Sequence, residues 1–125
     1  MLRWMAALVV ISLFVFAALG MGIGETRLDR WKVLANDTKE ATFRFRGGER
    51  ACVIAVGDHN PRSPTDIRVL DAKGRLVTES KSPNDSVAAI WYPPVTASYR
   101  IEVENHGDEY NIITVYFQGA ENAKR

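Results

Sequence analysis

The chain has 125 residues, with 16 Lys and Arg against 15 Asp and Glu, two histidines and a single cysteine. Charge this close to neutral, alternating in sign rather than blocked, excludes the basic stripe that a nucleic-acid binder needs. One cysteine likewise excludes an intrachain disulfide and a multi-cysteine metal site.

The amino terminus addresses the chain to a membrane. Arg3 is followed by an uninterrupted apolar run over residues 4–23 (WMAALVVISLFVFAALGMGI). A basic start, an apolar centre and small residues at Ala18, Gly20 and Gly22 fit a cleaved signal peptide. The alternative is an uncleaved anchor, since roughly 20 apolar residues span the hydrocarbon of a bilayer. Glycines at 20, 22 and 24 weaken a spanning helix and favour cleavage. Either way the remainder is expected to be exported, periplasmic or extracellular, or else tethered to the membrane through residues 4–23. Beyond residues 1–24 about 100 residues remain, enough for one core and one domain.

Residues 25–39 form a connecting segment with a possible first strand. Leu28, Trp31, Leu34 and Ala35 would share one helical face, but residues 31–34 (WKVL) also open a sheet, and a short strand is the favoured reading. From there the period is two. Residues 42–46 (TFRFR) alternate aromatic and polar, as a strand with one buried face does, and Gly47-Gly48 turns it. Residues 50–56 (RACVIAV) are apolar on both faces, which marks a central strand. Cys52 within it reads as a small buried hydrophobe.

Residues 57–66 (GDHNPRSPTD) are a loop by their Gly, Pro, Asn and Asp content. Residues 67–70 and 75–79 flank Asp71-Ala72-Lys73-Gly74 as a hairpin, and residues 80–85 (SKSPND) make the next turn. A strand over 87–92 ends at Pro93-Pro94, which cannot donate to a ladder. Residues 99–104 (YRIEVE) alternate cleanly, 105–108 turn, and 110–117 return as a long last strand. Residues 119–125 carry no pattern and read as a disordered tail.

About seven or eight short strands, with no helix long enough for a crossover, predict an all-β fold over 40–118: an antiparallel β-sandwich or jelly roll behind the amino-terminal signal or anchor helix. Phe43, Phe45, Val53, Ile67, Val69, Trp91, Ile101, Val103, Ile113 and Val115 supply its core.

The succession Phe43-x-Phe45, Gly48-Glu49-Arg50-Ala51, Asp71-x-x-Gly74-x-Leu76-Val77, Pro94-x-Thr96-Ala97-x-Tyr99-x-Ile101-x-Val103-x-Asn105 and Tyr110 resembles the bacterial pre-peptidase C-terminal domain and its relatives. These are β-sandwich or jelly-roll modules of secreted proteins, and the similarity covers residues 40–117. The chain departs from the family at Ser98, where a glycine usually precedes the tyrosine, and these 125 residues are not expected to include the enzyme to which the module is usually appended. The resemblance implies a non-catalytic accessory fold and transfers no functional residues.

The residues able to carry chemistry are few. His59 and His106 each neighbour an acid, Asp58 and Asp108, and with Ser63 they are the material for a hydrolase triad or a transition-metal site. No nucleophile sits in a strained elbow, so solvated turns account for them better, and the chain reads as no enzyme. Loop oxygens at Asp58, Asn60, Asp66, Asp71, Asn84, Asp85, Asp108 and Glu109 are of the type calcium takes, with Asp58, Asn60 and Asp66 the favoured set. No cofactor is expected, with calcium the alternative.

Trp91-Tyr92 before two prolines offers a stacking surface for a sugar or peptide, although neighbouring strand positions face opposite ways and one of the pair should fill the core. Three functions follow. The first is an exported interaction module for a protein or cell-envelope partner, the second a carbohydrate or calcium binder, and the remote third a hydrolase.

Overall fold

The computed structural model describes residues 26–121. The expected signal or anchor helix lies outside the described residues, as do the last four residues. Eight strands fill the described chain: β1 Thr26–Val33, β2 Thr38–Phe45, β3 Ala51–Gly57, β4 Thr65–Leu70, β5 Leu76–Ser82, β6 Ser86–Trp91, β7 Ala97–Asn105 and β8 Asn111–Gln118. No helix occurs among the described residues.

The strands form two four-stranded antiparallel sheets, ordered β1-β8-β3-β6 (sheet A) and β2-β7-β4-β5 (sheet B). Only β4 and β5 are neighbours in both sequence and sheet, and the other connections cross between sheets, which gives the jelly-roll arrangement expected from sequence. Alternation builds the core. Tyr99, Ile101 and Val103 of β7 meet Ile113, Val115 and Phe117 of β8, Ile67 and Val69 of β4, and Val53 of β3 in one buried cluster. At its lower end Phe45, Trp91 and Tyr99 pack as rings, with the Phe45 and Trp91 centroids 4.8 Å apart. Phe43 is only partly buried. Its ring lies 4.6 Å from that of Phe117, and the guanidinium of Arg27 covers it from outside.

The Asp71–Gly74 hairpin forms as read: Gly74 N–H donates to Asp71 O, and Gly74 has φ of 81°. The Asp71 carboxylate accepts the N–H groups of Arg75 and Lys73, and the bond from Arg75 chiefly holds its pKa below the usual carboxylate value.

Several boundaries differ from expectation, among them that of β2, which begins at Thr38 rather than at residue 42 and ends at Phe45. β1 starts at Thr26 rather than Trp31 and excludes Leu34, because its first half is polar on an edge of the sheet. β5 runs on through Ser80, Lys81 and Ser82, where hydroxyls face inward and leave no hydrophobic signal. Thr65 and Asp66 belong to β4 rather than to the preceding loop. Ala120 is buried and bridges Phe45, with Arg46 N–H donating to Gly119 O and Glu121 N–H to Arg44 O. The chain is therefore tied down through Glu121, a pairing set by tertiary contact that local sequence does not announce.

Candidate functional site

The register gives the sandwich two distinct ends. The connections 34–37, 58–64, 83–85 and 106–110 gather at one, and 46–50, 71–75, 92–96 and the start of β1 at the other. The histidines and most loop acids fall at the first end.

That end is organised by two buried asparagines. Asn105 Nδ2 donates to the carbonyls of Val33, Leu34 and Glu109, while its Oδ1 accepts from Gly107 N–H and the Ser63 hydroxyl. A Cβ on Gly107 would collide with Ser63 Oγ, so only glycine fits this turn. Asn111 Oδ1 accepts from the N–H groups of His59 and Asn60, and its Nδ2 donates to Asn60 O. Gly57 lies against Asn111 Nδ2 and Asp85 Oδ2, leaving no room for a side chain.

The favoured calcium set is divided by this arrangement. Asp58 faces Arg30 at 2.8 Å on one side of the end, and Asn60 caps its own loop by accepting from Arg62 N–H. Asp66 lies on the outer face of sheet B, 8% exposed, with its Oδ2 2.9 Å from His106 Nε2. His59 is elsewhere, stacked on Tyr110 at 4.2 Å with Lys32 over the far ring. The Ser63 hydroxyl donates to Asn105 rather than to a histidine. The residues that do converge are Asp66, Glu104 and His106, each offering one metal-ligand atom, all within 4.8 Å of one another. The sequence presents Asp66 and His106 as separate loop residues and gives no signal for Glu104, which only the β4–β7 register places opposite Asp66.

Trp91 and Tyr92 are split between the faces. Trp91 points into the core at 5% exposure, its indole N–H without a hydrogen-bond partner, and Tyr92 points outward at 69%. Tyr92 thereby joins a second feature, the outer face of sheet A. One row across that face reads Leu28, Tyr116, Ile54, Ala88, and the next Thr26, Gln118, Cys52, Ile90. Cys52 and Ile54 are buried although no further layer of described residues covers them, and burial pushes the Cys52 thiol up to about 12 against a smaller opposite pull from Arg50. Leu28 and Ile90 are 55% and 47% exposed. The sequence signal was available: β3 is apolar on both faces, which a two-layer sandwich requires on one only.

No protein-family model matches the chain, and no curated protein matches it. Solved structures do. The pre-peptidase C-terminal domain of a Bacillus anthracis collagenase superposes with a TM-score of 0.61 at 9% identity, over 77% of this chain and 91% of that one. The Yersinia pseudotuberculosis-derived mitogen gives 0.60 at 11% identity over 82% and 92%. The Aeromonas hydrophila periplasmic inhibitor of g-type lysozyme, PliG, gives 0.57 at 11% identity over 80% and 90%. The described residues thus share the β-sandwich fold of these structures, the pre-peptidase C-terminal domain among them, which is the fold expected from the motifs of the sequence.

Proposed function

We propose that this chain is an exported, non-catalytic binding module that holds a protein partner on the outer face of sheet A. The observation that carries the reading is the apolar centre of that face, formed by Leu28, Tyr116, Ala88 and Ile90 over the buried Ile54 and Cys52. Soluble sandwiches keep the outward side of a sheet polar, and an apolar patch rimmed by polar residues is the usual mark of an interaction surface. Here Thr26, Gln118, Arg30 and Thr114 supply the rim, the arrangement of protein interfaces.

Placement supports an envelope setting. The face includes the first residues of β1, the strand that follows the amino-terminal apolar run in sequence. Among the similar folds, one is named as a domain of a collagenase and another as a periplasmic lysozyme inhibitor, which favours export and binding over catalysis.

Native gel electrophoresis of complexes extracted from cells tests the reading. The wild-type chain should migrate in an assembly well above the 14.0 kDa of the uncleaved chain. The Leu28→Asp, Ile90→Asp double variant, with thermal melting preserved, should migrate alone. An assembly unaffected by the two aspartates contradicts the proposal.

A further inference from the structure

On the opposite sheet, the geometry points to a binding site for a divalent transition-metal ion of the zinc type, formed by Asp66, Glu104 and His106. Asp66 on β4 and Glu104 on β7 are direct partners across the antiparallel ladder, so both carboxylates rise from the same row of sheet B. His106 follows β7 immediately, and its ring nitrogen Nε2 stands 2.9 Å from Asp66 Oδ2 and 3.5 Å from Glu104 Oε1. Two donors bound to one ion at about 2.0–2.2 Å lie roughly 3.0–3.4 Å apart in tetrahedral or octahedral coordination. The separations around Nε2 are close to such edges.

Charge points the same way. Two carboxylates converge on one ring nitrogen, which carries at most one proton to share between them. Among neighbouring cations, Arg68 is engaged by Glu102, and Lys81 is the β5 partner of Asp66 on its other side. A dication held by Asp66, Glu104 and neutral His106 would balance both carboxylates at once. The donor set selects the ion: an imidazole with two carboxylates suits zinc and its first-row neighbours, whereas calcium takes oxygen ligands.

The ligands are also held in advance. His106 N–H donates to Pro64 O at 2.8 Å, Asn105 N–H to Asp37 O at 2.9 Å, and Gly107 N–H to Asn105 Oδ1 at 2.8 Å, which fixes the backbone on both sides of the imidazole. Asp66 is buried, while Glu104 and His106 are partly open to solvent, leaving water the remaining coordination positions.

Calorimetric titration of Zn2+ into the protein purified from cells tests the site, with imidazole NMR as a second readout. One equivalent should bind, shift the His106 ring resonances and raise the melting temperature. His106→Ala should weaken binding by on the order of 100-fold and Glu104→Gln by at least about tenfold, while His59→Ala binds like wild type. Circular dichroism checks that the two partly exposed positions tolerate substitution. Absence of one-equivalent binding, binding that survives in His106→Ala, or displacement of Zn2+ by equimolar Ca2+ overturns the proposal.

Discussion

The hydroxyl of Ser63 donates to Oδ1 of Asn105, joining the loop ahead of β4 to the end of β7 in a fully buried contact. Asn105 is the hub of that end, since the same side chain also serves Val33, Leu34, Glu109 and Gly107. Asn105→Ala strands several buried backbone groups at once and should cost roughly 3–4 kcal/mol, whereas Ser63→Ala should cost about 1–2 kcal/mol. Urea denaturation of the two variants measures both. Equal small losses would mean that water replaces the asparagine amide.

The split of Trp91 from Tyr92 predicts opposite sensitivities for adjacent residues. Trp91→Ala empties the ring cluster with Phe45 and Tyr99 and should cost about 3–5 kcal/mol. Tyr92→Ala, at an exposed position, should stay within about 0.5 kcal/mol. Comparable melting temperatures for the two variants would contradict the assignment of faces.

Asp85 gives the fold a pH signature. Burial, reinforced by the charge of Asp58 and partly opposed by a bond from its own backbone N–H, raises its pKa from 3.8 to about 6. A group whose folded value lies above its unfolded one favours the protonated native state. Its contribution is therefore complete below about pH 4 and lost as pH rises through about 6, at a cost on the order of 3 kcal/mol for the ionised form. Asp85→Asn should flatten this part of the stability profile and stabilise the protein at pH 7. Denaturant midpoints between pH 4 and 8 measure it, and a slope unchanged by the substitution would assign the titration to another group.

Cys52 reports on the cover of sheet A. With its thiol raised to about 12 and buried, it should resist iodoacetamide in the native protein at pH 8 and react once the chain is unfolded. Ile90 is its neighbour across the ladder on the same face, so Ile90→Ala should accelerate the native reaction. Native reactivity at the free-thiol rate would contradict the burial.

Legibility in the sequence followed physical signal strength. The alternation of β7 and the Asp71–Gly74 turn were readable because each depends on local spacing, and β3 declared its central place through apolar residues on both faces. The polar halves of β1 and β5 were not, since edge strands bury little and period two needs contrast to be seen. The Asp66–Glu104–His106 cluster lay hidden for another reason. His106 is 40 residues from Asp66 in the chain, and only the β4–β7 register brings them together.

Site-specific photocrosslinking in intact cells tests most directly whether the outer face of sheet A holds a protein partner. A photoreactive residue in place of Ile90 or Tyr92 should give a discrete crosslinked protein band, while the same residue in place of Arg68 or Glu79, on the outer face of sheet B, should not. Crosslinks from Arg68 and Glu79 with none from Ile90 and Tyr92 would contradict the account.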